Sequence, residues 1–127
     1  MKTYKILVCG GRNYNDEKVL FSILDFYNPE IVIHGFARGT DTLASIWAYK
    51  NHKAQRAYPA RWDKFGKGAG PIRNYEMITK EKDELDFVIA FPGGRGTENM
   101  IQLSKKHLGN EKVIIINSEA EGMNENT

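Results

Sequence analysis

Apolar positions in this chain fall in short dense runs that alternate with stretches of helical spacing. Tyr4 to Cys9 is rich in Ile, Leu and Val with little alternation, which predicts a strand covered on both faces. After Gly10-Gly11-Arg12-Asn13-Tyr14, Asp16 is placed to cap a helix whose Val19, Leu20, Ile23, Leu24 and Tyr27 share one face, and Asn28-Pro29 ends it. Glu30 to His34 predicts a second strand, and Gly35-Phe36-Ala37-Arg38-Gly39 turns into a helix with Leu43, Ala44, Trp47 and Ala48 inward. A weaker strand near Ala54 to Tyr58 reaches Pro59. A long connection then runs through Arg61, Trp62, Lys64, Phe65 and Lys67 to Gly70, and loops of that length in compact domains are usually functional. Pro71 fits a first helical position, with Ile72, Tyr75, Met77 and Ile78 supporting a short helix, and Lys80 to Glu84 reads as a solvated charge run. Phe87 to Phe91 is a fourth strand. A helix from Thr97 to about Leu108 stops at Gly109-Asn110, and Val113 to Ile116 makes a fifth strand.

Repeated strand–turn–helix units of this kind predict an α/β, Rossmann-like, doubly wound parallel sheet of about five strands in the order 3-2-1-4-5. Residues 1–117 are expected to form the domain, and residues 118–127 a polar, frayed tail. In this strand order the ends of the first and fourth strands lie side by side where the winding reverses, and ligands bind there.

Composition narrows the partners. With 127 residues the chain suits one domain with a real core. A net charge of +2 and a pI near 8.6 are too mild for a general nucleic-acid or membrane binder, so any basic site must be local. The single cysteine, Cys9, sits in an apolar run and cannot form an internal disulfide, which fits a reducing cytoplasm. The apolar run near the start is too short for a signal peptide or membrane span, so the protein is expected to be soluble and cytoplasmic.

The stretch richest in chemistry is Phe91-Pro92-Gly93-Gly94-Arg95-Gly96-Thr97. Its glycines can take backbone angles closed to other residues and leave no side chains in a ligand's way. Thr97 is a good N-cap, and the first helical turn behind it offers free N–H groups and the positive dipole end to an anion, with Arg95 adding a planar fork. The motif is not a P-loop, since no Gly-Lys-Ser/Thr ending is present and Gly66-Lys67-Gly68 does not supply one. It also fails the G-x-G-x-x-G dinucleotide fingerprint. Arg12, Arg38, Arg73 and Arg95 each follow the carboxyl end of a strand, so the sheet gathers them along one rim as an anion site. Asp41, after Thr40 at a helix start, reads equally as a cap, a ligand contact or an orienter of Arg38. Lys67 is placed to touch phosphate or to be solvated, and Trp62 and Phe65 to stack on a base or to pack the loop down. His34, His52 and His107 are scattered without partner carboxylates at ligand spacing, so neither a metal site nor a cofactor is expected.

Three blocks carry a family resemblance: HGFARGTDTLASIWA (His34 to Ala48), GKGAGPIRNYEM (Gly66 to Met77) and FPGGRGTENM (Phe91 to Met100). They resemble the signatures of the YspA-like branch of the SLOG superfamily, which is Rossmann-like. That superfamily includes the cytokinin-activating LOG phosphoribohydrolases, nucleotide-signal sensors and the DNA-processing protein that loads recombinase on single strands, which ARGTD at residues 37–41 resembles. Pro92 to Thr97 is similar to the LOG motif PGGxGTxxE, whose glycines and threonine hold a nucleotide phosphate. Carried over, the phosphate site falls on Gly93, Gly94, Gly96 and Thr97, and the motif's final glutamate falls on Met100. A thioether can neither stabilise an oxocarbenium-like centre nor activate water. Glu76 and Glu98 are near in sequence as substitutes, with Asp41 a third candidate carboxylate.

The whole expected ligand set is Gly10, Gly11, Arg12, Gly35, Arg38, Thr40, Asp41, Arg73, Asn74, Gly93, Gly94, Arg95, Gly96 and Thr97. The first functional expectation is a module that binds a nucleotide or ADP-ribose-like phosphorylated ligand as sensor or sequestering protein. The alternatives are a phosphoribohydrolase acting on nucleoside monophosphates, with an unassigned catalytic carboxylate, and a single-stranded nucleic-acid binder, which the modest charge disfavours. The resemblance further implies a homo-oligomer.

Overall fold

The computed structural model describes residues 3–117; the expected polar tail from Ser118 lies outside the described residues. Five parallel strands, β1 (Lys5–Cys9), β2 (Ile31–His34), β3 (Ala54–Ala57), β4 (Phe87–Ala90) and β5 (Val113–Ile115), lie in the order β3-β2-β1-β4-β5. Register is set by pairs such as Leu7 with Ile33 and with Val88. The helices are α1 (Glu17–Tyr27), α2 (Thr40–Lys50), α3 (Trp62–Phe65), α4 (Ala69–Glu81) and α5 (Arg95–Leu108).

Strand side chains alternate between two apolar layers, as a period of two requires. Ile6 and Val8 of β1 pack with Leu20 and Leu24 of α1 and Ala44, Trp47 and Ala48 of α2. Leu7 and Cys9 point the other way, against Met77 and Ile78 of α4 and Met100 and Ile101 of α5. Each fully buried Leu or Ile contributes about 1.5–3 kcal/mol relative to exposure. Asp16 Oδ1 accepts from the Val19 amide at 3.2 Å and caps α1, whose other end closes on Asn28 at φ 48°. Trp47 satisfies its indole N–H on Asp25 Oδ1 at 2.8 Å.

Three sequence expectations need correction. The long connection after Pro59 is not an open loop: it folds into α3 and a 3-10 turn at Gly66–Gly68. It leads into α4 at Ala69, so Pro71 sits inside the first turn rather than opening the helix, where its missing N–H has no helical acceptor to lose. The charge run at Lys80 to Glu84 is only partly solvated. Glu81 is 3% exposed because α4 carries it under Arg56 and Tyr58, which satisfy its carboxylate.

Candidate functional site

Where β1 and β4 end, their turns press against each other. The Gly11 amide donates to the Pro92 carbonyl at 2.9 Å, and a Cβ on Gly11 would stand 3.0 Å from Gly93 Cα. Below them the Thr40 hydroxyl and amide both donate to the Gly11 carbonyl, at 3.0 and 3.1 Å. Gly39, at φ 77°, lies so close to the Gly11 and Arg12 carbonyls that any side chain would collide with backbone. Between these turns and the start of α4 opens a crevice of about 510 Å³, within the range of small-molecule sites.

One wall is the start of α5. This helix begins at Arg95, two residues before the expected Thr97, and no side chain caps it. Gly94 precedes it, and the first amide in the helical ladder is Glu98, which donates to Gly94 O at 3.0 Å. The amides of Arg95, Gly96 and Thr97 are therefore outside the ladder, at the positive end of a 14-residue helix. Thr97 is instead buried in the first turn, its hydroxyl in the space a Cβ on Gly93 would need. Among the described glycines, positive φ occurs at Gly39, Gly66 and Gly109, so Gly93, Gly94 and Gly96 do not use the left-handed angles expected of them. Gly93 provides close approach to Gly11, while a Cβ on Gly94 or Gly96 would meet nothing within 4 Å.

The opposite wall carries Arg73 and Asp41. Arg73 Nε donates to Asn74 Oδ1 at 2.9 Å and its Nη1 to the Gly35 carbonyl. Burial lowers its pKa, Asp41 opposes that shift, and Arg12 adds to it. Two guanidinium groups near enough to repel each other favour an anion between them. Asp41 Oδ2 accepts from the Ala37 amide at 3.1 Å and holds the β2–α2 turn. Burial raises its pKa, partly offset by that amide, His34 and Arg73. Cys9 lies at the floor, its thiol pushed up by burial and therefore unreactive. Arg12 is parked over the Trp62 ring, 5.0 Å from its centroid, at the mouth. His34 is a buried core histidine: Nδ1 accepts from the Phe36 amide at 3.1 Å, so Nε2 carries the proton that faces Gln55 Oε1 at 3.0 Å.

The crevice brings together Gly10, Gly11, Arg12, Gly35, Asp41, Arg73, Asn74, Gly94, Arg95, Gly96 and Thr97, with Lys67 and Trp62 at its edge. The other expected site residues lie elsewhere. Arg38 sits on the exposed turn between β2 and α2 and reaches Asn13 Oδ1 at 3.5 Å rather than Asp41. Thr40 is fully buried under Gly10 and Gly11. Gly93 faces a second hollow of about 330 Å³ behind the turn, and Glu98 lines that hollow too. Glu76 is exposed and pairs with Lys80 at 3.4 Å. Of the three candidate carboxylates only Asp41 borders the crevice, and Met100 is buried in its wall. Sequence reasoning missed Asn99, Ala37 and Met77; the available signal for Asn99 was its place four residues after Arg95, on the same helix face. Among the described residues no group of His, Cys, Asp and Glu is arranged to hold a metal, and no helix is long and apolar enough to cross a membrane.

A parallel sheet with a glycine-walled, arginine-rimmed crevice at its switch point defines a Rossmann-like ligand-binding protein. The chain belongs to the YspA, cpYpsA-related SLOG family, whose model matches residues 4–65. It is also similar to the Gene 61 protein of Mycobacterium phage D29, at 30% identity over 114 residues covering 80% of this chain and 89% of the relative. Family membership points to a nucleotide-related ligand-binding role in general terms. The turn at Arg95 lies beyond the matched residues.

Proposed function

We propose that the crevice binds a nucleotide or ADP-ribose-like phosphorylated ligand and holds it without turning it over at an enzyme-like rate, as a sensor or sequestering module. The observation that carries this reading is the imbalance of the lining. Arg12, Arg73, Arg95, Lys67 and the first amides of α5 are donors, against one carboxylate, Asp41, already engaged by the Ala37 amide. Such a lining suits an acceptor-rich anion. A phosphate cradle binds substrate and transition state almost equally, so it supplies affinity rather than rate. Cleaving an N-glycosidic bond needs a carboxylate near the sugar carbon, and Met100 occupies that wall while Glu76 and Glu98 face away. Loss of one such electrostatic group typically costs two to three orders of magnitude, roughly 3–4 kcal/mol.

The test is calorimetric titration with AMP and ADP-ribose, followed by incubation of micromolar protein with nucleoside monophosphates and chromatographic separation of free base. Binding with no multiple turnovers is expected. Several turnovers per second, abolished by Asp41→Ala, Glu76→Ala or Glu98→Ala, would instead make the protein a phosphoribohydrolase with a relocated carboxylate.

A further inference from the structure

Asn99 is half-buried on the crevice wall, four residues after Arg95 and three after Gly96, so it stands one turn of α5 beyond the cradle. The polarity of its carboxamide is fixed by a chain of hydrogen bonds. Arg73 Nε only donates, so the Asn74 atom it meets at 2.9 Å is the oxygen. Asn74 Nδ2 then donates to the Gly96 carbonyl at 3.2 Å, which only accepts, and to Asn99 at 2.9 Å. The Asn99 atom in that contact must be Oδ1. Its Nδ2 is left with no protein acceptor among the described residues, on the wall of the cavity.

We infer that Asn99 is a specificity-determining residue of the crevice, donating from Nδ2 to a sugar oxygen of a pentose 5-phosphate whose phosphate lies at the start of α5. This rests on the phosphorylated-ligand reading above. One helical turn is about 5.4 Å, which matches the single-methylene reach from a 5-phosphate to its ring. Met77 and Met100 share the wall, and apolar neighbours disfavour a second full charge at that depth, whereas a neutral amide suits a neutral oxygen. The relay from Arg73 through Asn74 holds the donor in place before the ligand arrives, which lowers the ordering cost of binding.

The experiment titrates wild type, Asn99→Ala and Asn99→Asp with AMP, ribose 5-phosphate and inorganic phosphate, after circular dichroism has established that each is folded. Asn99→Asp, nearly isosteric and still able to accept from Asn74, serves alone if the alanine variant does not fold. Asn99→Ala is expected to weaken AMP and ribose 5-phosphate roughly tenfold while leaving inorganic phosphate unchanged. Asn99→Asp weakens the sugar phosphates further. Its deficit relative to wild type at the same pH shrinks as pH falls through the carboxylate range, because the neutral acid regains one donor. A merely structural role gives a deficit that does not change with pH and overturns the inference. Asn99→Ala binding AMP as wild type does, or losing inorganic phosphate equally, overturns it too while sparing the broader reading. A wild type that binds neither AMP nor ribose 5-phosphate overturns both.

Discussion

Two regions of this molecule gather charge, and they treat it in opposite ways. Where α4 ends beside β3, Arg56 meets Glu81 at 2.6 Å and Glu84 at 3.2 Å, Tyr58 donates to Glu81 at 2.6 Å, and Lys5 pairs with Glu84 at 3.3 Å. In the crevice, among the described residues, none of Arg12, Arg73, Arg95 and Lys67 forms an ion pair with a carboxylate. The first cluster closes on itself, while the second has cations and helix-end amides left over. Residue type alone does not separate the two clusters; the presence of a carboxylate partner does.

The comparison predicts a double dissociation, and its largest effect lies in the closed cluster. Glu81→Ala removes a buried carboxylate that two donors share, with Arg56 itself partly solvated, and should lower unfolding stability by about 2 kcal/mol. Urea denaturation measures this, and nucleotide affinity of the folded variant should be unchanged. Gly94→Val is the mirror experiment. Its Cβ meets nothing within 4 Å, so stability should move by less than about 0.5 kcal/mol, while the side chain enters the crevice and nucleotide affinity falls at least tenfold, about 1.4 kcal/mol. Undiminished affinity in calorimetry would remove the cradle from the binding site.

The smallest effect is in pH. Burial, then the bond to Glu81, push the Tyr58 hydroxyl up to about 12 from its ordinary 10. A group whose pKa is raised by folding stabilises the fold fully below its unfolded value and loses that contribution as pH rises through the folded one. Wild-type stability should therefore decline between pH 10 and about 12, and the decline should be shallower in Tyr58→Phe. Parallel slopes for the two proteins would show that the Tyr58 hydroxyl does not contribute to the decline.

Much of this architecture is legible in the chain. Dense runs such as Ile6-Leu7-Val8 and Ile31-Val32-Ile33 admit little besides buried parallel strands, and the strand order follows from how such units wind. Helix starts are harder to read. Thr97 has cap chemistry, yet α5 begins at Arg95 because the glycines ahead of it let the chain enter the helix without a side-chain cap. Arg38 and Arg73 both come after strand ends, but Arg38 lies on an exposed turn while Arg73 is carried by α4 to the Gly35 carbonyl, a difference that position after a strand does not specify. The Glu81 cluster unites residues 56, 58 and 81 through tertiary packing alone, which no local pattern encodes.

The Arg12–Trp62 stack gives the protein an optical gauge of its own. Of the two tryptophans in the chain, Trp47 is 1% exposed with its indole bonded to Asp25, so its emission is expected toward the blue and insensitive to the crevice. Trp62 is 45% exposed beneath a guanidinium that an arriving anion competes for. On the proposed function, occupancy of the crevice should change the red edge of the native fluorescence, so that titration of unlabelled protein can follow association in real time.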